Sequence, residues 1–524
     1  MIVVDAGIKF SEPEQPGVAS VVPDTEYLKE HRKAFSGIVL THGHEDHIGA
    51  IPYLLKEFNV PIYGTPLTLE MVRNRLSEHN LPQEPELYEI KPRDSFSIGA
   101  FGVELVHVTH SLADAVAVVI DTPHGKVLHT GDFKVDDAPP VGPPIDLARL
   151  SELGKEGILC MLSDSTNAEI PGPTGAERSV ESGIRNAAKN RTGRVLMCCF
   201  SSSTHRIQLA INIAAELHRK LFLVGRSMIQ NVNTALDLGY LHAPKGLVQS
   251  TNDINTFPAH KQFVLTAGSQ GEQLAALTQV ANGSHQRLHI DVDDIVIFSA
   301  RVIPGNEKAV NNVVNKLFRL GVKVVQPGSE QVHVSGHASA DELDMVLRLM
   351  NPKHFIPIHG EWKQLYHHAN IARNTDIPND NILLAENGDV VLIDSEGSKI
   401  DSHFDTTPRL VDNSGFGFVD KCTLSERRRL ATSGVIVPMV TLSSDDGSTV
   451  SELLSCGYIN TKNSEDTLEE AHNLMQSTIS KLSKSDRQND TVIANTLEKE
   501  LKRFFRKNSN SRPVILPVIR GEGS

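Results

Sequence analysis

The sequence predicts a layered α/β protein made of several units. Short apolar strand runs end in polar, chemistry-bearing residues, and a central stretch alternates such runs with helical patterns. A length of 524 residues also exceeds what a single core usually holds.

The first strand run, residues 2–4, leads into Asp5-Ala6-Gly7, and the second, 37–40, leads into Thr41-His-Gly-His-Glu-Asp-His47. Helical spacing then takes over, with Ile48, Ile51, Leu54, Leu55 and Phe58 on one face. Further strand runs fall at 103–108, 117–120, 127–129 and 157–162. From about Ser179 the rhythm changes. Runs at 195–200, 221–224, 263–266, 295–298 and 322–325 alternate with helical patterns, as in a parallel sheet with crossover helices. The segment 332–336 precedes a helix with Leu343, Val346, Leu347 and Met350 on one face, then a strand at 355–358. Residues 395–414, rich in Ser, Asp, Gly and Thr, read as a linker. The last unit shows a strand at 435–442, helices near 465–482 and 491–506, and a closing apolar strand at 514–519.

Composition bounds the function without choosing it. Hydrophobic residues make up 40% and charged residues 22%, an ordinary globular mixture. No apolar run approaches bilayer length and nothing at the N-terminus reads as a signal peptide, so a cytoplasmic protein without a membrane partner is expected. The five cysteines (Cys160, Cys198, Cys199, Cys422 and Cys456) lack paired metal spacing and mostly sit in apolar runs, as reduced core thiols do. The net charge of −13 argues mildly against a nucleic-acid partner, but divalent cations in a cleft would invert the local field.

The strongest chemical signal is His42-x-His44-x-Asp46-His47. Residues two apart at a strand end point the same way, so His42 and His44 can face one ion. The turn into the next helix re-aims Asp46 and His47 toward a second position, and Glu45 is expected to point outward. Imidazole and carboxylate suit zinc or manganese. His110, Asp132 and His359 each follow a strand and precede a loop, where further ligands belong.

Open parallel sheets bind ligands beyond the carboxyl ends of their strands. There the central stretch places Ser201-Ser-Ser-Thr-His-Arg206, Gly225-Arg-Ser227, Gly268-Ser-Gln-Gly-Glu272 and Ser299-Ala-Arg301. Each alone also reads as a helix cap. Together they read as an anion cleft, with Arg206, Arg226 and Arg301 as countercharge.

Asp5, the 42–47 cluster, His110 and Asp132 resemble, in order, the landmarks of the metallo-β-lactamase superfamily. Ser163-Asp-Ser-Thr166, Ser335-Gly-His337 and His359 resemble its nucleic-acid-cutting β-CASP branch, and within it the chain is similar to the bacterial ribonuclease J family. The likeness runs from Val3 nearly to the C-terminus and includes residues 268–272, 303–306 and 512–517.

That resemblance implies a metallo-β-lactamase αββα sandwich with an inserted parallel-sheet β-CASP domain and a small α/β C-terminal domain. Residues 1–175 and 329–395 would form the sandwich, 176–328 the insert, 396–430 a linker and 431–524 the final domain. It implies two divalent ions, zinc foremost, with manganese or magnesium as alternatives. One would be held by His42, His44 and His110, the other by Asp46, His47 and His359, with Asp132 between them. Paired cations activate water and clamp the attacking and leaving oxygens, so Asp46 counts among the catalytic residues. His337 is the implied general acid. RNA contacts, including one to a 5′-terminal phosphate, are implied at Ser202, Ser203 and Thr204 and at His333, Val334, Ser335, Gly336 and His337. The family more often has threonine at the position of Val334. Asp164 would orient His337 or a ligand. Asp5 would orient ligands too, though it reads equally well as a strand-end turn aspartate.

The implied activity is RNA hydrolysis, 5′-to-3′ exonucleolytic and endonucleolytic, in mRNA decay and in RNA maturation, rRNA included. A preference for 5′-monophosphate ends, a homodimer or homotetramer, and association with an RNA-degradation complex or the ribosome are implied with it. The family usually carries a glycine-containing segment and a pairing strand ahead of the position of Ile2, so the expectation is either a start upstream of Met1 or an uncovered sheet edge there. Two other readings compete: a catalytically weak RNA-binding scaffold subunit, and a small-molecule hydrolase of the same superfamily. The intact ligand set counts against the first, and the inserted unit with its anion loops counts against the second.

Overall fold

A computed structural model of the chain describes residues 1–394, 397–414, 417–442, 449–458, 462–508 and 512–521. The fold divides into two compact units, Met1–Ile8 with Pro23–Thr407, and Lys9–Val22 with Pro408–Ser524.

The first unit contains a two-sheet sandwich and an inserted parallel-sheet domain. A four-stranded parallel sheet runs in the order Ile2–Val4, Gly37–Val39, Ile62–Gly64 and Leu87–Glu89, which leaves Ile2–Val4 at an edge. A six-stranded mixed sheet runs His354–Ile358, Ile158–Asp164, Gly125–His129, Val116–Thr122, Phe101–His107 and Ser95–Ile98. Alternating residues explain how they stack. Val39 packs with Val103, Leu105, Val116 and Val118 between the sheets. Val106, Ala117, Val119 and Leu128 point the other way, onto helices Leu147–Glu156, Ala340–Met350 and Trp362–Arg373.

The insert is a parallel sheet ordered Val248–Gln249, Lys220–Val224, Gln262–Thr266, Val195–Cys198, Ile295–Phe298 and Lys323–Val325. Its central strands are apolar on both faces because helices cover both, as parallel sheets require. The chain then returns to the sandwich. Strand His354–Ile358 pairs in parallel with Ile158–Asp164, in a register that sets Ile358 opposite Asp164. That pairing brings His359 to the strand end where the insert began.

In the second unit, Lys9–Phe10, Val18–Val22, Arg409–Asp412 and Phe418–Val419 form an antiparallel sheet. In the other sheet, Val435–Leu442 pairs antiparallel with Thr449–Cys456 and parallel with Val514–Ile515 and Val518–Gly521. Helices Lys462–Ser480 and Asp490–Asn508 cover it through Met475, Ile479, Ile493, Leu497, Leu501 and Phe505.

Several expectations need correction. The expected linker at 396–430, in its described residues, holds strands Ser398–His403 and Arg409–Asp412 and most of helix Lys421–Ser433. These strands are held by backbone pairing to Asp389–Ile393 and to the distant Val18–Val22, which local composition cannot reveal. The single helical pattern after His47 is two helices, Glu45–Ile48 and Ile51–Glu57. Residues 332–336 are irregular, and the closing run 514–519 splits at Leu516-Pro517, where proline removes a ladder donor. Cys160, Cys198 and Cys199 are buried, but Cys422 and Cys456 are exposed. Among the described residues no helix is long and apolar enough to cross a membrane.

Candidate metal centre

The strand Gly37–Val39 ends against the loop that follows Ile2–Val4, and one glycine makes the approach possible. A Cβ on Gly7 would lie 1.6 Å from the Asp46 carbonyl oxygen. With that space open, the Ala6 N–H donates to the His47 carbonyl at 2.7 Å and the Ile8 N–H to the Glu45 carbonyl at 3.0 Å. Asp5 takes a left-handed backbone (φ 61°), uncommon for any residue but glycine. Its Oδ1 accepts from the Thr41 N–H at 2.8 Å. Its Oδ2 accepts from the Thr41 hydroxyl at 2.7 Å and from His47 Nδ1 at 2.6 Å.

Each histidine of the first group has its outer nitrogen tied to the protein. The Thr41 hydroxyl, having given its proton to Asp5, lies 3.0 Å from His42 Nδ1 as its acceptor. His110 Nδ1 donates to the Gly336 carbonyl at 2.8 Å, and His44 Nε2 lies 3.2 Å from the Ser111 hydroxyl. The inner nitrogens therefore converge as lone pairs. His44 Nδ1 lies 2.9 Å from His42 Nε2 and 3.2 Å from His110 Nε2, with Asp132 Oδ2 at 3.7 Å and 3.9 Å from the latter two. Three imidazole lone pairs aimed at one point repel unless a cation sits among them. Four ligands on a tetrahedral zinc lie about 3.3 Å apart, so the donor set fits such an ion. Burial, helped by neighbouring imidazoles, holds His42 and His110 well below the ordinary imidazole range and pulls His44 down to about 4.

Asp46, His47, Asp132 and His359 form a second group around the same carboxylate. His47 Nε2 lies 3.2 Å from Asp132 Oδ2 and 3.9 Å from Asp46 Oδ2, while His359 Nε2 lies 3.7 Å from Asp46 Oδ2. His47 Nε2 is buried without a hydrogen-bond partner among the described residues, which is what an absent ligand partner leaves behind. Burial alone would lower His47 and His359. Asp132 and Asp5 outweigh it at His47, and Asp132, Asp164 and Asp46 at His359, so both are raised well above the ordinary range. Asp132 is buried too, but the surrounding His359, His47 and His337 hold it well below the carboxylate range. Glu45 points away, 3.7 Å from Arg75.

His337 stands beside both groups. Its Nδ1 lies 2.8 Å from Asp164 Oδ2 and 3.9 Å from Asp132 Oδ2. Asp164 is anchored in turn by the Thr166 N–H at 3.0 Å and hydroxyl at 2.7 Å, and Thr166 reaches His359 Nδ1 at 3.0 Å. Gly336 has no room for a side chain, since a Cβ would lie 2.9 Å from His110 Cε1. Ser335 accepts from Asn167 Nδ2 at 2.8 Å.

The residues expected to meet phosphate are placed differently from one another. Ser202 is partly exposed, whereas Ser203 and Thr204 are buried and the Thr204 hydroxyl turns to the Ser111 carbonyl at 3.4 Å. Val334 is half-buried, and His333, pushed down to about 3 by burial and Arg206, keeps a buried Nδ1 without a partner among the described residues. Arg206 is a correction. It is 2% exposed and donates to Glu177, the Ser299 hydroxyl and the Val332 and Val334 carbonyls, so it braces the 332–337 loop and is not free to face an anion. Lys134, also buried, completes the network with Glu177 at 3.0 Å. Sequence reading missed Thr41, Asn167, Lys134 and Glu177. Only Thr41 carried a signal, its place between a strand and the histidine cluster.

Family models match along most of the chain: the metallo-beta-lactamase superfamily at residues 2–176, the ribonuclease J beta-CASP domain at 192–317, a Zn-dependent metallo-hydrolase RNA specificity domain at 324–381, and the ribonuclease J C-terminal domain at 422–521. The chain is 37% identical to ribonuclease J 1 of Streptococcus pyogenes, over 99% of this chain and 93% of that protein. It is 37% identical to ribonuclease J of Thermus thermophilus (99% and 91%) and 34% identical to ribonuclease J2 of Bacillus subtilis (99% and 94%). With a divalent-metal donor set at the strand ends and such likeness over nearly its whole length, the chain belongs to the ribonuclease J family.

Proposed function

We propose that the protein is a two-metal ribonuclease, with zinc as the favoured ion, that degrades RNA from its 5′ end and also cuts internally. The convergence of three imidazole lone pairs and the shared Asp132 carries this reading. His42, His44 and His110 would hold one ion, Asp46, His47 and His359 the other, and Asp132 both. Bound ions would supply Lewis-acid activation of water and stabilise charge on the phosphoryl oxygens.

The chain's own residues supply the rest. Asp5 fixes the His47 tautomer by accepting from Nδ1, which leaves Nε2 as the donor atom. Asp164 accepts from His337 Nδ1 and, with Asp132, favours the doubly protonated ring, whose Nε2–H would deliver a proton to the departing 3′-oxygen. Ser202, Ser335 and backbone N–H groups around Gly336 would hold the 5′-phosphate, so that the first phosphodiester lies over the metals. RNA maturation and decay in the cytoplasm, by a homodimer or homotetramer, is the setting this activity fits.

Hydrolysis of one RNA carrying a 5′-monophosphate, triphosphate or hydroxyl end tests the reading. The monophosphate should be degraded fastest, chelation should stop all three, and His337→Ala should remove the preference. Equal rates would defeat the phosphate pocket, and chelator-resistant cleavage would defeat the metal mechanism.

A further inference from the structure

A groove of about 570 Å³ in the second unit is lined by five cations: Arg428, Arg429, Lys502, Arg506 and Arg512. Helical periodicity builds it. Ser425, Arg428, Arg429 and Thr432 recur at i, i+3, i+4 and i+7 along Lys421–Ser433, and Lys502 and Arg506 face them from Asp490–Asn508. Among the described residues no carboxylate lines it, in a chain of net charge −13. Arg428 is anchored by its Nε, which donates to the Glu14 carbonyl at 2.5 Å, and Lys502 pairs with Glu498. Arg429, Arg506 and Arg512 are exposed and make no ion pair or side-chain hydrogen bond among the described residues.

Uncompensated guanidinium groups massed in one groove repel each other and are kept only where an anion gathers them. Their planar forks suit phosphate oxygens in pairs, and the Ser425 hydroxyl suits a single one, whereas the Thr432 hydroxyl is spent on the Arg428 carbonyl at 2.6 Å. We propose that this groove is a second RNA-binding site, separate from the metal centre, that grips the sugar–phosphate backbone of single-stranded RNA without reading its sequence. The proposal rests on the ribonuclease reading above.

The test uses the full chain, stripped of metal so that it binds without cutting, and fluorescent single-stranded RNA titrated by anisotropy at several salt concentrations. Arg429→Glu with Arg506→Glu should weaken binding about tenfold or more at low salt. It should also flatten the salt dependence by about 1.4, the value for two lost phosphate contacts on a single strand. Lys481→Glu with Lys484→Glu, an equal charge change at exposed positions of the same unit outside the groove, should leave both unchanged. Metal-loaded variants should hydrolyse bis(p-nitrophenyl) phosphate at the unaltered rate, and the glutamine pair replaces the glutamates if charge reversal unfolds the unit. Equal losses from both pairs, no loss from the groove pair, or a loss accompanied by a change in oligomeric mass would overturn the proposal. A parent chain that neither binds nor cleaves RNA would instead overturn the ribonuclease reading.

Discussion

The two ligand groups share Asp132 but are built in opposite ways. His42 and His110 are buried within 2% exposure and His44 is half-buried between them, each with its outer nitrogen held and its ring kept neutral by burial. In the other group the Asp46 side chain is 54% exposed and His359 30%, and the ring nitrogens sit among carboxylates that favour their protonated form. A site kept neutral in advance binds an ion without displacing protons; a site among carboxylates must release them first. The first group should therefore hold its ion more tenaciously, and the second should exchange.

The largest effect expected is from His44→Ala, which removes a nitrogen of the first group. RNA hydrolysis should fall by at least about 1,000-fold, as when a main transition-state stabiliser is lost, with the melting temperature little changed. Steady-state assays with calorimetry check this, and retained activity would dissolve the distinction between the groups.

Glu177→Gln should act on both groups at once. It leaves Arg206 buried without its countercharge and Lys134 with Asp136 alone at 3.7 Å, at a cost of about 3–5 kcal/mol, and frees the loop that carries Gly336 and His337. Urea unfolding and metal analysis should show lower stability and both ions weakened together. Loss of one ion alone would mean that the loop serves only one group.

Asp5→Asn should separate them. The carboxylate that accepts from His47 Nδ1 becomes a neutral amide with one accepting oxygen in place of two, so affinity at the Asp46–His47–His359 group should drop about 10–100-fold. The other ion, reached from Asp5 only through Thr41, should be weakened less. Metal content after mild chelation should fall by one ion per chain.

Acid offers a gentler version of the same separation. His44 keeps its lone pair to about pH 4, whereas His47 and His359 hold protons above the ordinary imidazole value of 6.5. As pH falls, the second group should lose its ion first. In the ion-free chain the sign reverses. Raised folded pKa values stabilise fully below the unfolded value and are lost as pH rises through them, so above about pH 6.5 chelated protein should weaken with rising pH while loaded protein strengthens. Below that pH the lowered His42, His44 and His110 should make the chelated protein gain stability as pH rises. Melting curves with and without chelator, from pH 5 upward, measure both slopes.

What could be read from sequence follows the same division. His42 and His44 of the first group lie two residues apart at a strand end and were legible from spacing, whereas His110, another strand-end histidine, joined them only through resemblance. His359 was likewise legible as a strand-end candidate, but its place beside Asp46 and His47 came only through resemblance, because a parallel pairing with Ile158–Asp164, closed across the whole insert, delivers it. Arg206 was misread since nothing local distinguishes a buried arginine that braces carbonyls from an exposed one that awaits phosphate. Thr41 and Asn167 went unread because their work is hydrogen bonding to residues far along the chain. The strands within 396–430 failed for the same cause: polar composition suggested a linker, and pairing partners elsewhere made them strands.

The central claim is that two unequal ions share Asp132. Anomalous diffraction at the zinc edge, on crystals equilibrated near neutral and mildly acid pH, tests it most directly. The account predicts two peaks flanking Asp132 near neutrality, with the peak among Asp46, His47 and His359 fading first in acid. A single peak, or earlier loss of the one among His42, His44 and His110, would contradict it.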